Sequence, residues 1–450
     1  MRISVVILAA GQGTRMRSKT PKVLHPLSGR PLITYAVETA ARVTGSKPVL
    51  VVGHGAAAVQ DALGDSVEYV LQEPQMGTGH AVQQAERVLK GQTDLVLVTL
   101  ADMPLLTEGT LKCLVQLQGE GNGPFSMLTV MADDPRGFGR VVRDDSGVVR
   151  EIVEEAHATP EQLAIRELNI SVYCFNADWL WEALPRIPLS PKGEYYLTDL
   201  VGIAVAEGSS VRAMVAEEIS ETVGINTRVH LAEAEAVLRR RINRKWMLAG
   251  VTIVDPETTY IEEGVSIGQD TAIWPHTYLH GDTRVGGECS LGPNTIVRDT
   301  EIGDRCVVLN SVLEGALLED NVNVGPFGHL RKGAHLAQGV HMGNFGEVKN
   351  SYLGPGTKMG HFSYLGDAKL GSDVNIGAGT ITCNYDGERK HPTEIGSGAF
   401  IGSDTMLIAP LKLGKNTRTG AGSVVNKDVP PDTMVVGVPA RSIRKLNKRD

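Results

Sequence analysis

Aliphatic residues recur at every sixth position through much of the second half of the chain. They fall at Ile267, Ile273, Leu279, Val285, Leu291 and Val297, often with a glycine next in line. The rhythm returns at Val324, Leu330, Leu336, Met342 and Val348, and again at Ile395, Ile401, Leu407 and Leu413. A six-residue period fits neither an α-helix nor a plain alternating strand. It is the signature of a parallel β-helix, in which each hexad makes one face, three faces make a coil, and the inward aliphatics stack into one core. Such a core needs no rings, which suits a chain with 5% aromatic residues and 51 glycines. One stretch, "CNYDGERKHPTE" at 383–394, breaks the rhythm and is expected to loop out of the prism.

The first half follows another pattern. "SVVILAAG", "PVLVVGHG" and "DLVLVTLADMP" are continuous apolar runs, each followed by a helical stretch: "LITYAVETAARV", "AAAVQDALG" and "EGTLKCLVQLQ". Unbroken Val/Ile/Leu strands alternating with helices predict a mostly parallel α/β sheet covered on both faces. Ligands in such sheets bind at the carboxyl ends of the strands, where "AAGQGTR" and "ADMP" fall. Between the halves, "RVHLAEAEAVLRRRINRKWMLAG" lacks proline and ends at Gly250, so it reads as a linking helix with its basic run on a solvated face. The expected domains are 1–226, a linker over 227–250, and 251–450.

The net charge of −8, with no Lys/Arg block, argues against a general nucleic-acid binder. Cys113, Cys174, Cys289, Cys306 and Cys383 lack metal-ligand spacing and read as reduced thiols of a reducing compartment, the cytoplasm. Arg2 and the apolar run after it resemble a short signal peptide, but the run is brief and leads straight into a glycine-rich turn, as a first strand does. No run approaches the roughly 20 apolar residues of a membrane span.

That turn, "LAAGQGTRM" at 8–16, has three readings. A dinucleotide fingerprint needs a third glycine, and Met16 stands there. A Walker loop needs GK[ST], which is absent. A mononucleotide loop fits: Gly11 and Gly13 let backbone N–H groups approach phosphates, Arg15 offers a fork of donors, and Lys22 in "PKVL" a compact charge. A bare turn would use the glycines and have no need of the cations.

The hexad register is informative by itself. Leu330 and Val348 lie one coil apart, so Arg331 and Lys349 stack roughly 4.8 Å from each other. Either they splay into water or an anion such as phosphate sits between them. The same register sets Tyr364 over Glu347 and puts Asn344, His361 and Ala378 in one column. A lone histidine is usually structural. This one lies near a cation pair and within reach of the Glu347 carboxylate.

L-A-A-G-x-G-T-R-M followed by P-K resembles the signature of sugar-nucleotide pyrophosphorylases. Joined to a hexapeptide β-helix, it resembles the bifunctional N-acetylglucosamine-1-phosphate uridyltransferase / glucosamine-1-phosphate acetyltransferases over nearly the whole chain. The resemblance implies a Rossmann-like nucleotidyltransferase domain followed by a left-handed parallel β-helix; the handedness comes from it alone. It implies acetylation of glucosamine 1-phosphate by acetyl-CoA, then UMP transfer from UTP to give UDP-N-acetylglucosamine, a precursor for peptidoglycan and lipopolysaccharide, and pyrophosphate. It implies a cytoplasmic homotrimer with small-molecule substrates, Mg²⁺ as cofactor, and neither nucleic acid nor membrane as partner.

Carried over motif by motif, the resemblance puts the nucleotide on Leu8, Ala9, Ala10, Gly11 and Gly13, with Arg15 and Lys22 as catalytic cations. "LQEPQMGTGHA" adds Gln72, Gly77 and Thr78 as the uracil-reading segment. "ADMPL" and "GINTR" make Asp102 and Asn226 the metal ligands, and one carboxylate with one amide suits a cation that keeps several waters. Asp102 alone would read equally well as a helix cap. Gly139, Glu154, Asn169 and Thr198 become sugar contacts, with Asn226 beside them. "GHFSYLGD" makes His361 the base that takes the amine's proton, and analogy with other base–orienter pairs makes Glu347 its orienter. Arg331, Lys349, Tyr364, Asn375 and Lys390 form the sugar-phosphate cradle of that second site. Ala378, Asn384, Tyr385, Ser403 and Ala421 line the acetyl-CoA groove. Cys383 is a nucleophile by type only, since the family transfers the acetyl group directly.

The chain departs from the pattern in three places. Ala101 replaces the glycine before Asp102, and its methyl is expected to narrow the backbone approach. "PFGHLRKG" has His329 and Lys332 where the family has Arg and Pro. Gly437 stands where a basic residue usually meets acetyl-CoA, with Arg441 close by to substitute. Competing readings are a single-activity nucleotidyltransferase on a β-helical stalk, a binding or regulatory protein with a dead fold, and a UTP hydrolase. The "NIGAGTITCNYDG" segment argues against the first, intact Arg15, Lys22, Asp102 and Asn226 against the second, and the lack of a water-activating residue against the third.

Overall fold

The structure is a computed structural model that describes residues 1–445. The chain forms two compact units, Met1–Leu238 and Arg239–Asp450.

The first unit is built on a twisted sheet whose strands run in the order Arg212–Val215, Phe125–Met131, Glu167–Asn176, Leu95–Leu100, Ile3–Leu8, Val49–Val52, Glu68–Leu71. The apolar runs form it as expected: Val6, Ile7, Leu50, Val51, Val96 and Val98 are fully buried between helices on both faces. Parallel pairing holds on both sides of Ile3–Leu8. Glu167–Asn176 is the exception, antiparallel to both its neighbours. It also pairs at Leu168 and Asn169 with a hairpin of Gly139–Arg143 and Val149–Val153. From Ile3–Leu8 the chain first builds outward to Glu68–Leu71 and then crosses back to Leu95–Leu100. The loops after Leu8 and Leu100 therefore open side by side at the point where strand order reverses, which is where α/β sheets leave a crevice.

Local signals set the helix ends. Pro31 precedes Leu32–Thr44 and Gly45, at φ 69°, ends it. Thr107 caps Glu108–Gly119 by accepting from Thr110 N at 3.2 Å. The linking helix is Arg228–Leu248, with Gly250 at φ 92° just beyond it.

The second unit is a left-handed parallel β-helix of three sheets. The hexad aliphatics pair coil on coil: Ile267 with Val285, Leu279 with Val297, Leu330 with Val348, Ile395 with Leu413. The rhythm lapses between Val297 and Val324 because the coils shorten. Ile273 pairs with Leu291, Leu291 with Val308 and Val308 with Val324, steps of 18, 17 and 16 residues. Residues are trimmed at corners while the short strands persist. Corner threonines such as Thr271 and Thr380 are fully buried and donate to Gly286 and Gly377 carbonyls, each at 2.8 Å. Of the 383–394 stretch, 384–392 leaves the prism, whereas Cys383 and Thr393–Glu394 stay in its strands. Ala368 pairs with Thr393 instead of a residue one coil on, and a Tyr385–Lys390 bridge closes the excursion into a hairpin.

Each coil touches only its neighbours, so the core is a nearest-neighbour stack. Leu330 is fully buried in it. Leu330→Ala is expected to cost about 2–5 kcal/mol by cavity formation. Thermal unfolding followed by circular dichroism checks this, and a loss below about 1 kcal/mol would mean that the stack closes around the gap.

Two candidate active sites

The first site lies in the first unit. A cleft of about 640 Å³ opens at the strand carboxyl ends and is lined by Leu8, Ala9, Ala10, Gly11, Gly13, Arg15, Lys22, Gln72, Gly77, Thr78, Asp102 and Asn226. The structure thus gathers the expected nucleotide and metal residues in one cavity. Gly13 sits at φ 63°, and a Cβ there would come within 2.6 Å of the Lys22 Cβ. Gly77 is at φ 91°, and a Cβ would meet the Tyr195 carbonyl oxygen at 2.6 Å. A Cβ on Gly11 would meet nothing within 4 Å, so the space beside it is open cleft.

Lys22 is the focus of the charge arrangement. Its ammonium pairs with the Asp102 carboxylate and donates to Asn226 Oδ1 at 3.1 Å. Asp102 comes from the loop after Leu95–Leu100, and Asn226 lies just ahead of the linking helix. A carboxylate and an amide oxygen therefore converge on one point that holds a cation here. That oxygen-only donor set fits a hard divalent ion. Arg15 is exposed on the short turn Thr14–Met16 and has no ion-pair partner among the described residues. Ala101 is buried, with its N–H on the Leu8 carbonyl at 3.0 Å, and is not part of the cleft lining.

Gly139, Glu154, Asn169 and Thr198 come together beside this cleft rather than in its lining. Gly139 pairs with Asn169, and a Cβ on Gly139 would lie 3.6 Å from Glu154 Oε1. Burial pushes the Glu154 carboxyl above the usual range, Asp199 adds to this, and the Thr198 hydroxyl opposes it by hydrogen bonding. Asn169 is buried and hydrogen-bonded to the Tyr173 hydroxyl. Thr78 ties the two groups by accepting from Leu197 N at 3.0 Å.

Sequence reasoning missed several supports. Glu194 and Tyr196 line the cleft, and Tyr195 brackets the turn of Gly77 through Met76 and Gly79. The start of the linking helix is not merely solvated. Arg228 contacts buried His25 at 3.2 Å, and the Glu235 carboxylate accepts from Ser28 N and Oγ at 2.8 Å each. These bonds dock the segment after Lys22 against the helix that follows Asn226. Their partners lie some 200 residues apart, beyond any local pattern.

The second site lies on the β-helix. Arg331 and Lys349 are neighbours in one outward column of the second sheet, as the register required. Glu347 pairs with Tyr364 in the adjacent column. The Glu347 carboxylate is not on His361, however. Its Oε1 accepts from Arg331 Nη1 at 2.8 Å, and His361 is exposed without a hydrogen-bond partner among the described residues. The stronger partner wins, since a guanidinium one coil away offers charge and a fork of donors. Lys349 has no carboxylate bonded to its ammonium, and Asp367 offsets its cationic neighbours only in part. The Lys390 ammonium, brought over by the hairpin, lies beside it, and together with Arg331 it holds Lys349 below the ordinary lysine range. His329 takes the Glu314 carboxylate at 3.3 Å.

His361 occupies a corner between the strands Lys358–Met359 and Ser363–Gly366. Ala378, Ser403 and Ala421 follow along the same corner, linked by Asp404 N to the Ala378 carbonyl at 2.6 Å and Gly422 N to the Ser403 carbonyl at 2.8 Å. Asn384 is buried at the hairpin root and Tyr385 is exposed on it. Asn375 is not brought to Arg331, Lys349 and Tyr364: it lies on the first sheet, between Lys358 and Phe400. Arg441 sits on the final strand, Ala440–Lys445, opposite Val436. Gly437 has φ 102° at that hairpin's turn, where a basic side chain would be strained. Burial raises the Cys383 thiol, which leaves little thiolate to act as a nucleophile. Beside His361, Phe327 and Phe345 stack with ring centroids 5.1 Å apart, and with Phe362 they are more than half exposed.

Comparison with known proteins agrees with both halves. The family model for the MobA-like NTP transferase domain matches residues 5–164. The bifunctional protein GlmU of Heliobacterium modesticaldum is 46% identical over 96% of this chain and 95% of its own length. Those of Exiguobacterium sibiricum and of Geobacillus sp. strain WCH70 are 46% identical over 96% of each chain and 44% identical over 99% and 97% respectively. With identity at this level across both units, the chain belongs to the family of bifunctional GlmU proteins.

Proposed function

We propose that the chain acetylates glucosamine 1-phosphate with acetyl-CoA on its β-helix, and then couples N-acetylglucosamine 1-phosphate to UTP in its α/β unit. The observation that carries this reading is the near full-length similarity to bifunctional relatives, in a chain that presents both constellations.

In the α/β unit, a phosphate oxygen of the sugar 1-phosphate attacks the α-phosphorus of UTP, and pyrophosphate leaves. Such a transfer asks the protein for positioning and charge neutralisation more than covalent chemistry. The glycine loop and Arg15 hold the phosphates. Gln72, Gly77 and Thr78 hold the base. Gly139, Glu154, Asn169 and Thr198 hold the sugar. Asp102 and Asn226 would hold Mg²⁺, which neutralises phosphate charge when bound, and Lys22 stands at that point as a further cation.

On the β-helix, Arg331, Lys349 and Lys390 form a cation cluster that suits a phosphate monoester. Glu347 keeps the Arg331 fork in place. His361 accepts the proton as the substrate amine attacks the thioester carbon; the C–N bond forms, the C–S bond breaks, and CoA leaves as its thiol. Ala378, Asn384, Tyr385, Ser403, Ala421 and Arg441 would lie along acetyl-CoA. A trimer is part of this proposal. Asn375 is on a different sheet from the cradle, and the exposed Phe327, Phe345 and Phe362 ladder supplies apolar surface beside His361 for a second copy. The proposed domains are 1–226, 227–250 and 251–450. Five free cysteines support a reducing, cytoplasmic setting, and among the described residues no helix is long and apolar enough to cross a membrane.

The test is thiol release from acetyl-CoA in the presence of glucosamine 1-phosphate, with pyrophosphate release from UTP measured on the same preparation. Both are expected. Pyrophosphate without thiol would leave a uridyltransferase on a structural stalk.

A further inference from the structure

The hairpin over 384–392 carries Lys390 to the cation column, so its placement matters if the acetyl site is as proposed. Most of its side-chain hydrogen bonds close on itself. Asp386 accepts from Glu388 N and Arg389 N at 2.8 and 2.7 Å and pairs with His391 at 2.6 Å, and the Tyr385 hydroxyl donates to the Gly387 carbonyl at 2.5 Å. Nothing in that set fixes the hairpin to the prism.

Asp367 does. It sits at the corner after Ser363–Gly366, with φ at 52°. Its main chain joins the coil before it, through its N–H on the Lys349 carbonyl at 3.1 Å, to the hairpin's exit, through Thr393 N on its own carbonyl at 3.1 Å. Its carboxylate repeats the pattern: Oδ1 accepts from Asn350 Nδ2 at 2.6 Å, and Oδ2 accepts from Asn384 Nδ2 at 2.5 Å. Asn384 is the buried root of the hairpin. Asn350, Asp367, Lys390 and His391 line one cavity of about 480 Å³ under it. Charge-assisted bonds to two amides, one on each side, make a bridge that a neutral side chain would not reproduce.

We infer that Asp367 is a positioning residue for acetyl transfer, a latch that sets the inserted hairpin so that Lys390 stands over the Lys349–Arg331 column. This rests on the proposed acetyl site. The competing explanation is a corner ladder without functional reach, as Asn416 and Asp432 form at 2.8 Å elsewhere on the prism.

The experiment uses the full-length protein and three variants, Asp367→Ala, Lys390→Ala and the double substitution. Asp367→Ala is expected to raise KM for glucosamine 1-phosphate by about tenfold, the worth of a hydrogen bond to a charged group, with kcat within about threefold. It is also expected to speed tryptic cleavage at Arg389 and Lys390 by about tenfold or more as the hairpin swings free. Lys390→Ala is expected to raise KM in the parent and to add nothing once Asp367 is gone, since the two act as one unit. Additive effects on KM, or unchanged cleavage, would overturn the latch. Asp367→Asn keeps the shape and one acceptor, and serves if the alanine variant fails to fold; it is expected to fall between parent and alanine in both readouts. Parent protein without His361-dependent thiol release would sink the acetyl site instead, and the cleavage comparison would still decide whether Asp367 holds the hairpin.

Discussion

Asp102→Ala is expected to lower uridylyl transfer by about a thousandfold while thiol release from acetyl-CoA continues at the parent rate. Two effects add at this position. The divalent cation proposed here would lose its charged protein ligand and keep only the Asn226 amide. Lys22, whose ammonium is shared between Asp102 and Asn226, would lose its counter-charge in a part-buried cleft. Asp102→Asn separates these effects from bulk, since it keeps the shape and removes the charge, and it is expected to be nearly as inactive. Pyrophosphate release with N-acetylglucosamine 1-phosphate reads the loss. If acetyl transfer fell in parallel in a folded protein, the two reactions would share a site and the two-centre account would fail.

The mirror-image result is expected for His361→Ala: thiol release down by about a thousandfold and pyrophosphate release unchanged. A positioned general base contributes about 10²- to 10⁴-fold, and the estimate takes the middle of that range. His361 is exposed at its corner and makes no hydrogen bond among the described residues, so its removal leaves no buried group without a partner. Stability is therefore expected to change by less than about 0.5 kcal/mol. A loss of activity with an unchanged melting temperature would place the effect on chemistry. Retained activity would return the histidine to a surface role and leave the cation cluster as a binding site only.

Both sites were partly legible in the sequence, for reasons that differ. A hexad period is short-range information, so which side chains of the β-helix face inward, and which columns stack, could be read directly; Leu330 over Val348 and Glu347 over Tyr364 follow from counting. The count cannot choose among partners within reach. It set Glu347 near both Arg331 and His361, and only side-chain geometry gives it to Arg331. It does put Asn375 on another face from Tyr364, two corners on past the strand Ala368–Leu370, which an assignment by motif alone overlooks. In the first unit, the glycine loop and "ADMP" marked the crevice because parallel sheets bind at strand ends. The strand Glu167–Asn176 starts with alternating polar and apolar residues, "ELNISV", and was not among the continuous apolar runs, so its antiparallel place in the middle of the sheet came only with the structure. The His25–Arg228 and Ser28–Glu235 contacts were hidden by distance along the chain.

The coils of 18, 17 and 16 residues have an evolutionary consequence. In an ordinary sheet, gaining or losing a single residue slips the register and turns every later side chain to the wrong face. Here the corner absorbs the change, and the next strand resumes with its aliphatic residue inward. A gene for such a prism can therefore tolerate single-codon insertions and deletions at corners. It can even accept a whole hairpin, as between Cys383 and Thr393, and still present the following coils in phase. New loops can be tried at this rim one codon at a time without dismantling the column beneath them.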